Sequence, residues 1–152
     1  MIIRLLVFLL INFGALAIGS QFTRRGVASE WYAALIKAPW SPPGWTFGVA
    51  WFSIMICYSI YMAISWKEVS NQKLLLVFFV LQLILNVSWN PVFFHLQNPA
   101  FALVIITALT FLMVGFLFYF RHETRQWSLL ILPYVLWLLI ATSLNGYIVF
   151  NN

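Results

Sequence analysis

The stretch that decides the fold is residues 74–120, LLLVFFVLQLILNVSWNPVFFHLQNPAFALVIITALTFLMVGFLFYF. It contains no Asp, Glu, Lys or Arg. A bilayer core about 30 Å thick is crossed by roughly 20 apolar residues in a helix. The stretch is therefore too long for one crossing and fits two. Its break falls at His95-Leu96-Gln97-Asn98-Pro99, where polar residues precede a proline suited to the first turn of a new helix. Outward from it, residues 5–23, 38–66 and 126–152 are also free of charge, and each fits one crossing. Pro39, Pro42 and Pro43 disfavour helix, so the second span should begin near Gly44 or Trp45. The reading is an all-α membrane protein, a single five-transmembrane-helix bundle. Its helices are expected at about 3–21, 45–66, 73–94, 99–120 and 127–149, with one long connection at 22–44. Strands are not expected, because alternation is absent and open sheet edges cannot face lipid.

Composition agrees. The 152 residues are 64% hydrophobic and only 7% charged, where a soluble domain is about 25% charged. That excludes a soluble globular domain, a nucleic-acid binder and a disordered chain. The net charge of +5 bears on orientation in the bilayer rather than on nucleic acid. Arg4, Lys67, Lys73, Arg121 and Arg125 fall on one side, and Arg24, Arg25 and Lys37 on the other. The imbalance favours a cytoplasmic N-terminus with the long loop outside. Trp31, Tyr32, Trp40, Trp45, Trp66, Tyr119, Trp127 and Tyr147 cluster near the span ends, as interfacial aromatics do. Residues 1–20 admit a second reading as a cleaved signal peptide, with Arg4 at its start and Ala17-Ile18-Gly19 as the cleavage site. Against it, Asn12 interrupts the apolar run, and Gly14, Ala15, Ala17, Gly19 and Ser20 also suit close helix packing.

Polar side chains in mid-span are costly without partners, so they carry the functional information. On the third helix, Gln82, Asn86, Trp89 and Phe93 share a stripe roughly 60° wide, with Asn90 at its edge. On the fifth, Pro133, Tyr134, Trp137, Ala141, Leu144 and Asn145 share a face; on the second, Phe47, Trp51, Met55, Tyr58 and Met62 do. One interpretation is ordinary packing, with interhelical amide bonds worth about 0.6 kcal/mol each. The other is a pocket for a large, flat, mostly apolar ligand, stacked on aromatic faces and oriented by a few amides. Trp51, Trp89 and Trp137, away from the interfacial belts, favour the second. No catalytic constellation appears, since Glu30, Glu68 and Glu123 all fall in loops. His95 and His122 lie at span ends with no second ligand at metal spacing, and Cys57 has no partner cysteine. No metal and no cofactor is expected.

Several segments together resemble the TspO/MBR family, the tryptophan-rich sensory proteins related to the mitochondrial translocator. They are Trp31-Tyr32 with Leu35 and Lys37; Trp40-Ser41-Pro42-Pro43-Gly44-Trp45, then Phe47-Gly48 and Trp51; Trp66-Lys67-Glu68; Gln82, Leu85-Asn86, Trp89, Pro91 and Phe93-Phe94; and Pro133-Tyr134, Trp137, Ala141-Thr142 and Leu144-Asn145. The resemblance implies a five-helix bundle, often a homodimer, that binds porphyrins in a cavity among the helices under the first loop. The family's ligand contacts fall on Trp51, Asn86, Trp137, Ala141 and Leu144. Some bacterial members degrade protoporphyrin in light through tryptophans that match Trp51 and Trp137. The chain departs from the family pattern in three places. Its loop reads Lys37-Ala38-Pro39-Trp40, with the proline moved by one. On the second helix Ala50 or Val49 stands where a proline is usual before the tryptophan, and Met55 where a tyrosine is usual after it. No cation follows Leu144-Asn145-Gly146-Tyr147, so sterol recognition by that segment is not expected.

The expectation is therefore a multi-pass receptor or carrier for porphyrin-type tetrapyrroles, or other flat apolar ligands, linked to tetrapyrrole regulation or stress. A bacterial membrane is expected rather than the mitochondrial outer membrane. The ligand-binding set is Trp40, Phe47, Trp51, Asn86, Trp89, Trp137, Ala141, Leu144 and Asn145. Residues 22–44 act as a lid, and Arg24, Arg25 and Lys37 stand at its mouth, either to pair with ligand carboxylates or to anchor at the interface. The rival reading is a light-dependent porphyrin-degrading enzyme using Trp51 and Trp137. Partners expected are the porphyrin, membrane lipid and a second copy of the chain, paired through small residues such as Ala108 and Gly115; no nucleic acid is expected.

Overall fold

Long charge-free segments must satisfy every backbone polar group internally, and this chain does so with helices throughout. The computed structural model describes residues 1–152. Helix α1 spans Ile2–Val27, α2 Glu30–Ala34, α3 Gly44–Glu68 and α4 Gln72–Asn90, which runs on through a π turn, Pro91–His95. Then come α5 (Pro99–Tyr119), the short α6 (Arg121–Thr124), a 3-10 stretch at Arg125–Ile131, and α7 (Leu132–Asn151). Five segments, begun by α1, α3, α4, α5 and α6, are long and apolar enough to cross a membrane. The long helices touch in the order α1, α4, α5, α7, α3 and back to α1, closing a ring.

Local chemistry sets the helix ends. Asn71 and Asn98 cap α4 and α5 by accepting from the N–H groups of Leu74 and Phe101, both at 3.0 Å, and Pro99 occupies the first turn of α5. Helix α1 reaches Val27, past its expected end at 21, because Arg24 and Arg25 lie exposed in its last turn, where cations suit the helix dipole. Only residues 28–43 remain of the expected connection, and they contain α2. Pro91 has no N–H to give to the α4 ladder. The helix widens there, Leu96 N–H donating to the Pro91 carbonyl at 2.9 Å, so it ends later than a regular helix would. At the last span the 3-10 stretch comes first, and regular helix begins only at Leu132 rather than at 127.

Two cores occupy the two ends of the bundle. The larger gathers Phe8, Ile54, Tyr58, Tyr61, Leu75, Phe79, Phe116 and Tyr134, among others, toward the end holding the N-terminus. The smaller holds Val92, Phe93, Phe94, Ala102, Ile105 and Ile148 beneath the long loop. Helix α1 is part of the bundle. Phe8 lies in the larger core, and Asn12 Nδ2 donates to Ser59 Oγ at 2.8 Å, both buried. Near the other end α1 passes so close to α4 that a Cβ on Gly19 would stand 2.7 Å from Asn90 Nδ2, and one on Gly26 would overlap the Phe94 ring. Ala108 and Gly115 face outward, where they line an apolar groove of about 440 Å³ between α4 and α5 together with Phe78.

Candidate functional site

The fifth span arranges the site. Along one face of α7, Tyr134, Trp137, Leu144, Asn145 and Ile148 are buried, with Ala141 half-buried among them. Spacing of three and four residues puts them in one line, running from the larger core toward the loop. Two clusters of the expected ligand residues form along this line.

The first lies at the seam of α3 and α7. Trp51 stands edge-on to Tyr134, centroids 5.7 Å apart at 80°, and Phe47 edge-on to Trp137, 5.2 Å apart at 82°. Gln82 Nε2 of α4 donates to the Tyr134 hydroxyl at 2.9 Å, which holds the ring that Trp51 leans on. Trp137 Nε1 is buried with no hydrogen-bond partner. Helix α3 packs closely on the 3-10 stretch but less on α7 itself. It has no buried residue before Ile54, so Phe47 and Trp51 stay half-exposed in the loop-side half of the seam.

The second cluster lies beneath the loop. Trp89 Nε1 donates to Asn145 Oδ1 at 3.0 Å, and Asn145 Nδ2 donates to the Pro99 carbonyl at 2.8 Å. Trp89 stacks on Phe93, 5.0 Å apart at 21°. One turn earlier Asn86 is buried, and its carbonyl accepts from Asn90 Nδ2 at 3.5 Å. Asn90 Oδ1 in turn accepts from Thr23 Oγ1 at 2.7 Å. The amide oxygen and nitrogen of Asn145 thus hold Trp89 and the start of α5 in place.

The loop closes over this end. Trp31 stands edge-on to Phe93, and Tyr32 packs on Phe94; burial pushes the Tyr32 hydroxyl pKa up. Ile36 exchanges two hydrogen bonds with the Asn152 side chain. Trp40, exposed, donates from Nε1 to Ser143 Oγ at 3.2 Å and stands edge-on to Tyr147. It is thus a clasp on the flank of α7, apart from the two clusters. Lys37 Nζ turns back to the Ala33 and Leu35 carbonyls and sits 4.7 Å above the Tyr32 ring, while Arg24 and Arg25 are exposed.

Sequence reasoning placed Gln82 and Tyr134 on the correct faces but missed their pairing, as it missed the Thr110–Thr142 contact of 3.1 Å between α5 and α7. A long-range pair needs the order of helices around the ring, which periodicity does not carry. No group of three His, Cys, Asp or Glu is placed to hold a metal. The fitting chemistry is stacking on indole and phenyl rings, with one indole N–H to donate.

Residues 6–150 match the model of the TspO/MBR family. The chain belongs to that family. It is 38% identical over 135 residues to a tryptophan-rich protein TspO of Archaeoglobus fulgidus, covering 88% of this chain and 87% of that one. A tryptophan-rich sensory protein of Cereibacter sphaeroides is 34% identical over 117 residues, 76% of this chain and 73% of its own. The translocator protein of Bos taurus is 30% identical over 132 residues, 84% and 78%. The protein is thus a multi-pass membrane protein of the TspO/MBR receptor and sensory family, as its segment motifs implied.

Proposed function

We propose that the protein is a membrane receptor for porphyrin-type tetrapyrroles, held in the loop-side half of the bundle between α3 and α7. The observation that carries this reading is Trp137. Its N–H is buried without an acceptor, and leaving such a donor unpaired costs about 1–3 kcal/mol. It lies beside the one half of α3 that buries nothing. A planar guest would stack on Trp137 and Trp51, and a carboxylate on its rim, turned to the indole edge, would take up that N–H. Phe47, now edge-on to Trp137, would swing aside. Asn86 and Leu144 would close the depth of the site, Ala141 leaves room for a ring, and Trp89 with Asn145 forms its roof. The loop would serve as lid, released at the Trp40–Ser143 clasp. Charge placement supports a cytoplasmic N-terminus, with Arg4, Lys67, Lys73, Arg121 and Arg125 on that side.

The test is a titration of the purified protein in detergent with protoporphyrin IX, followed at the porphyrin absorbance band. The reading predicts a saturable shift at one porphyrin per chain. Trp137→Phe and Trp51→Phe should each weaken it roughly two- to tenfold, the worth of one aromatic contact. A linear, unsaturable response identical in the variants refutes it. The same samples in light and in darkness separate binding from turnover: a receptor leaves the band stable in both, whereas an enzyme bleaches it in light.

A further inference from the structure

At the end of the bundle opposite the loop, a cavity of about 530 Å³ opens where α5 hands over to α6 and the 3-10 stretch. Leu117, Phe118 and Leu129 line its apolar part, and Arg121, Arg125 and Gln126 its polar part. Both arginines are exposed and lie four residues apart across α6. Glu123, the carboxylate between them, is committed elsewhere: its Oε2 accepts from Ser70 N–H at 2.6 Å, tying this turn to the α3–α4 loop. The backbone at Arg125 has φ 50° and ψ −124°, a region costly for a residue with a Cβ. That turn stops α6 after Thr124 and sets Arg125 beside Arg121 on the cavity wall. The buried Thr124–Ser128 bond of 2.7 Å braces it. Trp127, 42% exposed, occupies the same turn and suits the headgroup level of a bilayer.

We propose that this cavity is a binding site for the headgroup of an anionic phospholipid. Arg121 and Arg125 take the phosphate with charge-assisted hydrogen bonds. Gln126 reaches the glycerol or headgroup oxygens, and an acyl chain lies along Leu117, Phe118 and Leu129. The occupant is a membrane lipid and not a free anion because half of the cavity wall is apolar and continuous with the lipid-facing flank of α5. The site is separate from the Trp51–Trp137 seam and does not depend on it.

Native mass spectrometry of the full chain, released from micelles doped with equal phosphatidylglycerol and phosphatidylcholine of identical acyl chains, reads the site directly. The expected result is one retained phosphatidylglycerol per chain in clear preference to phosphatidylcholine. Arg121→Gln with Arg125→Gln should weaken retention roughly 25-fold, at about one fivefold factor per arginine near the surface. Arg24→Gln with Arg25→Gln, at the opposite end, should leave it unchanged. Equal retention of the two lipids by the unaltered protein overturns the proposal without reference to any variant. So does an equal loss in both double variants, and so does displacement of the lipid by millimolar inorganic phosphate, which would mark a site for soluble anions.

Discussion

Replacing Asn145 with Leu removes a side chain that is 2% exposed and holds two partners, while keeping its branched outline. The Trp89 N–H loses its acceptor and the Pro99 carbonyl its donor. Interhelical hydrogen bonds in membrane proteins average about 0.6 kcal/mol and reach about 1.7, so two lost bonds cost about 1.2–3.4 kcal/mol. For a chain of this length that lowers Tm by about 3–10 °C. Unfolding by heat, or by titration with a denaturing detergent, measures it. A double-mutant cycle with Trp89→Phe isolates the indole bond, because the phenyl ring cannot donate and the stacking area it also loses on Phe93 cancels in the cycle. Its coupling energy should fall at about 0.6–1.7 kcal/mol. If Asn145→Leu unfolds like the unaltered protein and the cycle closes to zero, the amide is not the post that holds Trp89, and the second cluster has been misread.

The glycines of α1 give a graded set under the same assay. Gly14→Ala meets nothing within 4 Å and should stabilise slightly, by up to about 1 kcal/mol of helix propensity. Gly19→Ala crowds Asn90 Nδ2 and should cost about 1 kcal/mol as the Thr23–Asn90 bond strains. Gly26→Ala meets the Phe94 ring, should be the worst of the three, and should be relieved by Phe94→Ala. Trp40→Phe loses the Ser143 bond at an exposed position; global stability should hold within about 0.5 kcal/mol, while limited proteolysis within residues 28–43 becomes faster.

The spans were legible because a charge in hydrocarbon is so costly that the gaps between charges mark the crossings. Residues 74–120 alone required two helices, and the caps at Asn98 and Pro99 fell where the break was read. Helix ends were less legible. Arg24 and Arg25 read as loop, yet long cationic side chains at a helix terminus reach the interface while the backbone stays helical. The π turn at Pro91 arises from one missing N–H and leaves no periodic trace. The aromatic faces of α3, α4 and α7 could be read from spacing because a helix repeats every 3.6 residues. What they meet could not: Trp51 leans on Tyr134, Trp89 holds Asn145, and Trp40 reaches Ser143. These are contacts between spans far apart in sequence, settled only when the ring of helices closes.

The most direct measurement of the central claim is the indole N–H spectrum of the ¹⁵N-labelled protein in micelles, its eight tryptophans assigned by single Trp→Phe changes, as protoporphyrin IX is added. Trp137 and Trp51 should shift saturably, through the ring current of the stacked guest and the new bond to the Trp137 N–H, while Trp66 and Trp127 at the far end stay still. Shifts confined to Trp127, or small and unsaturable movement of all eight alike, would contradict it.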